Sequence, residues 1–246
     1  DGVQPIEGVL DAALVHSRGG PAAPLGGPDG RIDLDAGRLD PPVRLRDDLD
    51  IPVLVLETET DVLGHLHYLP ARQGDTERFR LWEVAGTAHA DRSLVGDFES
   101  VLGCDTPVNR GQQRFVVRAA LRALVDWDAV EPARADRLEV VQGADGRPAY
   151  ALDAMGNVLG GVRTPAVEVP VEVLSGMPAP GASRVCMLFG QTLPAPADEL
   201  RRRYPSRQSY LDAYRAATDA AIAAGFVLAE DRDEMLGDAR DELITW

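Results

Sequence analysis

Six residues, Ile51 to Leu56 (IPVLVL), leave few options. The run is nearly continuous, β-branched and opened by a proline, so it is too apolar for a half-solvated strand and too short for a helix. It suits a strand buried on both faces of a parallel sheet. Phe79 to Val84 (FRLWEV) alternates apolar with polar residues and is the next strand expected, and Val9 to Val15 (VLDAALV) is an earlier one. Gln112 to Trp127 repeats Phe115, Val116, Ala119, Ala120, Ala123, Leu124 and Trp127 at helical spacing, which predicts an amphipathic helix. Leu138 to Val141 and Ala149 to Leu152 flank the turn-forming Gly143 to Arg147 as a hairpin. A strand region is expected over Val158 to Val162 and Val167 to Leu174, and closing helices over Ser209 to Ala224 and Asp231 to Asp241, the first capped by Gly225.

With 246 residues, 45% of them hydrophobic and 26% charged, the chain can build a real core. Its formal charge of −15 repels phosphate backbones, which argues against a nucleic-acid partner. The 25 basic residues are all arginine, a bias that looks like GC-rich coding rather than selection for phosphate contacts. No apolar run approaches the ~20 residues that span a bilayer, so no membrane span is expected. The chain reads as soluble, cytoplasmic or secreted, and a beginning without methionine fits a processed product or a fragment. Cys104 and Cys186 belong to no zinc pattern; they are either two buried thiols or, in an exported protein, one long-range disulfide.

The two central strands end in ionisable loops. Glu57-Thr58-Glu59-Thr60-Asp61 follows the first, and Ala85-Gly86-Thr87-Ala88-His89-Ala90-Asp91 follows the second. Ligands of open α/β sheets sit beyond the carboxyl ends of strands, so both loops should face one crevice. An aspartate and a histidine on successive strand ends are what a nucleophilic triad needs as acid and base. Asp61 and His89 are therefore the candidate catalytic residues, with Glu59 as a possible acid or a supporting partner. Arg18, Asn109 and Arg163 lie in glycine- or proline-marked loops and are candidates to line a substrate pocket, the alternative for each being to brace its loop. His65 and His67 form an H-x-H pair that could hold a metal with Asp61 and His89, a minor alternative. Gly160-Gly161 is no dinucleotide fingerprint, and no cofactor is expected. The segment from Gly19 to Pro42, rich in glycine, proline and aspartate, is expected to cover the crevice as a mobile lid.

Several segments resemble the family of alpha/beta hydrolase domain proteins common among actinobacterial-type sequences: LVHSRGG, PVLVLETETD, RLWEVAGTAHAD, PVNRGQQRFVVRAALRAL, GNVLGGVRTPAVEVPV, CMLFGQT and YRAATDAAIAAGF. They run from Leu14 to Phe226. The resemblance implies an α/β fold with a mostly parallel sheet, helices on both faces and an added β-hairpin region. It also implies a Ser-Asp-His hydrolase acting on carboxylic esters, with Asp61 and His89 on the acid and base positions. The chain departs from the family in having no G-x-S-x-G-like elbow upstream of LVHSRGG. It is therefore expected to be the C-terminal portion of one such domain, with residues 1–130 carrying the acid and base loops and residues 131–246 the hairpin region and last helices. The nucleophile would then come from a separate N-terminal chain or segment. Acyl transfer by the same triad and a non-catalytic binding or assembly module are the alternative functions.

Overall fold

The computed structural model describes residues 8–21 and 41–246. At its centre three parallel strands pair in the order β1 (Ala13–His16), β2 (Val53–Thr58) and β3 (Phe79–Val84). β2 lies between the other two and is buried at every residue. Its odd-numbered side chains Val53 and Val55 join Phe79 and Leu81 on one face, while Leu54 and Leu56 join Trp82 and Val84 on the other. A strand that loses both faces to the core cannot alternate with polar residues, which explains the unbroken IPVLVL run.

The helix Gln113–Val125 packs Val116, Ala119, Ala120 and Leu124 on the Leu54–Trp82 face. The opposite face is covered by Tyr68, by Leu138 and Val158, and by Val167 from the helical turn Pro165–Glu168. Each strand thus carries the apolar side chains that its two covers require. A parallel bridge from Val84 to Val162 extends the sheet beyond β3.

Two antiparallel pairs lie outside the central sheet: β4 (Val140–Gln142) with β5 (Pro148–Tyr150), and β6 (Glu172–Ser175) with β7 (Gln191–Pro194). The first is the expected hairpin, turning at Gly146 with φ 78°. The expected strand region Val167 to Leu174 divides. Pro165 at the start of the Pro165–Glu168 turn supplies a helical φ, and extended backbone resumes only at Glu172, beyond Pro170. β1 begins at Ala13, later than the expected Val9, since Val9 and Leu10 are exposed and have no sheet face to join.

The closing helices Arg207–Ala223 and Arg232–Gly237 build a separate apolar cluster around Tyr204, Tyr210 and Tyr214. Ser206 caps the first by accepting from the Ser209 N–H, and Gly225 leaves it with φ 81°. Cys104 and Cys186 form a disulfide, so the two-thiol alternative does not hold. No helix among the described residues is long and apolar enough to cross a membrane.

Candidate active site

β2 runs directly into a single helical turn, Glu59–Val62, whose residues are all buried. Thr58 precedes the turn, and both its backbone N–H and its Oγ1 donate to Asp61 Oδ2, at 2.8 and 2.7 Å. Ser17 Oγ, leaving β1, donates to the same oxygen at 2.8 Å. Three donors thus fill one side of a carboxylate with no solvent exposure. The other oxygen, Asp61 Oδ1, lies 2.8 Å from His89 Nδ1.

Ser17 reaches Asp61 through a left-handed backbone, φ 54°. That region costs a residue with a Cβ roughly 1–2 kcal/mol, which the hydrogen bond to a buried carboxylate offsets. Ser17 stands in the sequence as an ordinary residue leaving a strand, and Val15 in place of the first glycine of a G-x-S-x-G elbow speaks only against a nucleophile. Nothing local marks it as a partner of Asp61.

His89 enters on the loop after β3, where its N–H donates to Thr60 Oγ1 at 3.2 Å. Its ring is about one-third exposed. The Asp61 hydrogen bond holds its pKa above the ordinary imidazole value; burial works against this and the Asp61 charge adds to it. With Nδ1 committed to Asp61, Nε2 is the ring nitrogen left to exchange a proton, and no described residue hydrogen-bonds it.

Glu59 does not share the direction of Asp61, as an extended segment would have required, because the segment is a helical turn. Its carboxylate accepts instead from the N–H of Gly86 at 2.5 Å and of Gly176 at 2.7 Å. Burial raises its pKa to about 7, against the lowering effect of those two bonds.

The three pocket candidates separate. Asn109 is fully buried, its amide donating to the Gly86 and Ser175 carbonyls and accepting from the Gly111 N–H. Arg163 is spent on Asp153, Glu168 and the carbonyls of Val158 and Val167. Both brace loops rather than present free donors. Arg18 donates through Nε to Gly19 O and through Nη2 to Val43 O and lies over the Tyr68 ring, but its Nη1 is buried without a partner. His65 and His67 are not gathered with Asp61 and His89. Among the described residues no cluster of three or more His, Cys, Asp or Glu side chains is placed to hold a metal ion.

Glu57, unremarked in the sequence, sits beside this site with no solvent exposure. Its Oε1 accepts from the Arg18 N–H at 3.2 Å, and its Oε2 has no partner. Burial, reinforced by the Asp61 charge, pushes its carboxyl up to about 10. Between the ordinary carboxyl value and that one the native state holds a proton that the unfolded chain releases, so stability falls as pH rises through the window. Glu57→Gln, which needs no proton, should match the parent near pH 4 and exceed it by about 3 kcal/mol at pH 7. Urea unfolding at the two pH values measures this, and a gain independent of pH would refute the cause given.

A model of the alpha/beta hydrolase domain family matches residues 1–237. The chain belongs to the alpha/beta hydrolase domain family. No curated protein and no solved structure gave a match. In this family scaffold the parallel strands β1 to β3, their covering helix and the polar turns at their carboxyl ends together form a hydrolase framework.

All seven serines of the chain fall within the described residues, and each hydroxyl is engaged away from His89. Ser17 binds Asp61, Ser93 binds Asp91, Ser100 the Asp97 carbonyl and Ser175 the Met177 carbonyl. Ser183 accepts from the Cys186 N–H, and Ser206 and Ser209 cap a helix together.

Proposed function

We propose that this hydrolase domain supplies the acid and base of an ester hydrolase, Asp61 and His89, to a serine nucleophile carried on a segment outside this chain. The observation that carries the reading is the 2.8 Å contact between His89 Nδ1 and an Asp61 carboxylate pinned on its far side by three donors. In that arrangement Nε2 takes the proton of the attacking hydroxyl and returns it to the leaving alkoxide. Asp61 stays ionised and stabilises the imidazolium formed between the two steps. The substrate is a small carboxylic ester, and acyl transfer to another alcohol would use the same groups.

The engagement of every serine elsewhere favours a second reading, a hydrolase scaffold that binds or assembles without chemistry. Hydrolysis of p-nitrophenyl acetate and butyrate, assayed with the protein joined to its adjoining N-terminal coding sequence, separates the two. The hydrolase reading expects turnover that His89→Ala lowers by at least about a thousandfold. Absence of turnover would favour the binding module, and turnover that survives His89→Ala would refute His89 as the base.

A further inference from the structure

Three consecutive residues hold three different parts of the loop that carries His89. The Glu59 carboxylate takes the Gly86 N–H, Thr60 Oγ1 accepts the His89 N–H, and Asp61 Oδ1 meets the His89 ring. The Glu59 backbone N–H also donates to Thr87 O at 3.2 Å. The loop therefore takes its shape from one buried turn at the end of β2.

Asn109 completes the arrangement from the other side. Its Nδ2 donates to Gly86 O and to Ser175 O, both at 3.1 Å, while Glu59 accepts from Gly86 N and Gly176 N. Both chain segments thus offer an N–H to Glu59 and a carbonyl to Asn109. A carboxylate faces only donors, and an amide NH2 faces only acceptors. Neither group can be exchanged for its isostere without placing like against like. Solvent reaches neither side chain, so water cannot substitute for a lost bond. The segments also approach too closely for side chains: a Cβ on Gly176 would run into Thr87 O, and one on Gly86, whose φ is 68°, would run into the Val167 side chain from the Pro165–Glu168 turn.

We propose that Glu59 and Asn109 are positioning residues for His89, locking the Gly86 peptide to the Ser175–Gly176 peptide so that the imidazole keeps Nδ1 on Asp61 and Nε2 toward the substrate. The proposal rests on the reading of His89 as the base, and it identifies a function for Glu59 other than that of the triad acid. A clamp of this kind acts on kcat through the orientation of the ring and leaves substrate affinity nearly unchanged.

The test compares Glu59→Gln and Asn109→Ala with a remote control, Tyr204→Phe, which loses a buried hydrogen bond to Pro170 O in the C-terminal cluster. Two readouts are taken: ester turnover with His89→Ala alongside, and the downfield proton resonance of His89 Nδ1–H in its bond to Asp61. The expected result is a fall in kcat of about 100-fold at nearly constant KM in both clamp variants, with a displaced or broadened resonance. Tyr204→Phe should alter neither readout. An unmoved resonance and near-parental kcat in a folded Glu59→Gln overturn the clamp, even where His89→Ala is inactive. If Glu59→Gln does not fold, Asn109→Ala decides by the same criteria. Activity that survives His89→Ala overturns the functional reading instead. The resonance still judges the clamp in that case, because it depends on geometry and not on turnover.

Discussion

Asp61→Asn should lower kcat about ten-thousandfold while KM stays within about twofold, through the wrong histidine tautomer rather than through unfolding. The three donors around Asp61 Oδ2 dictate this outcome. An asparagine there would keep its carbonyl oxygen toward the Thr58 N–H, which can only donate, and would turn its NH2 toward His89 Nδ1. The ring would then accept at Nδ1 and carry its proton on Nε2, where a general base must be bare. The acid limb of kcat/KM should also move to lower pH, since Asp61 is what holds the His89 pKa above the ordinary value. A pH–rate profile of the parent and the variant measures both effects. A loss under tenfold would mean that the amide has turned over or that His89 is not the base.

Removing the Cys104–Cys186 disulfide should have the largest effect on stability. The bridge joins residues 82 apart, and loop closure on that scale is worth about 4 kcal/mol. In a chain of this length that corresponds to a Tm lower by ~10 °C in Cys104→Ser/Cys186→Ser. The bridge also anchors a segment leaned on by the His89 loop. Leu188 O accepts from Ala90 N, and Phe189 O accepts from Asn109 N, each at 3.0 Å. Calorimetry with and without reductant checks the prediction. A Tm change under about 3 °C would show that packing alone holds residues 186–189 in place.

The central sheet and the Asp61–His89 pair were legible in the sequence because both depend on local pattern. A strand buried on two faces must be apolar throughout, and polar turns at strand ends stand out against it. The helix Gln113–Val125 and the first hairpin were legible for the same reason. The supporting residues were not. Ser17 meets Asp61 across 44 positions, Asn109 meets Ser175 across 66 and Glu59 meets Gly176 across 117. No spacing rule links such residues, and their partners are mostly backbone groups, which carry no residue identity. For Asn109 and Arg163 pocket lining and loop bracing both stayed open in the sequence, because loop position reveals exposure poorly. Glu57 was hidden by its neighbours, one acid in an acidic stretch, until the fold removed it from water. The lid expected over Gly19 to Pro42 falls mostly on residues 22–40, outside the described residues.

The ends of that stretch are described, and they touch. Pro21 bridges Pro42, and the Val43 N–H donates to Gly20 O at 2.9 Å, so the chain leaves and returns through one narrow neck. Loop-closure entropy grows only slowly with loop length, and a neck already closed makes the cost of lengthening or shortening the insert small. Residues 22–40 are in that respect a cassette. A change of length between Pro21 and Pro42 would leave β1 and β2, and with them Ser17 and Asp61, in their places.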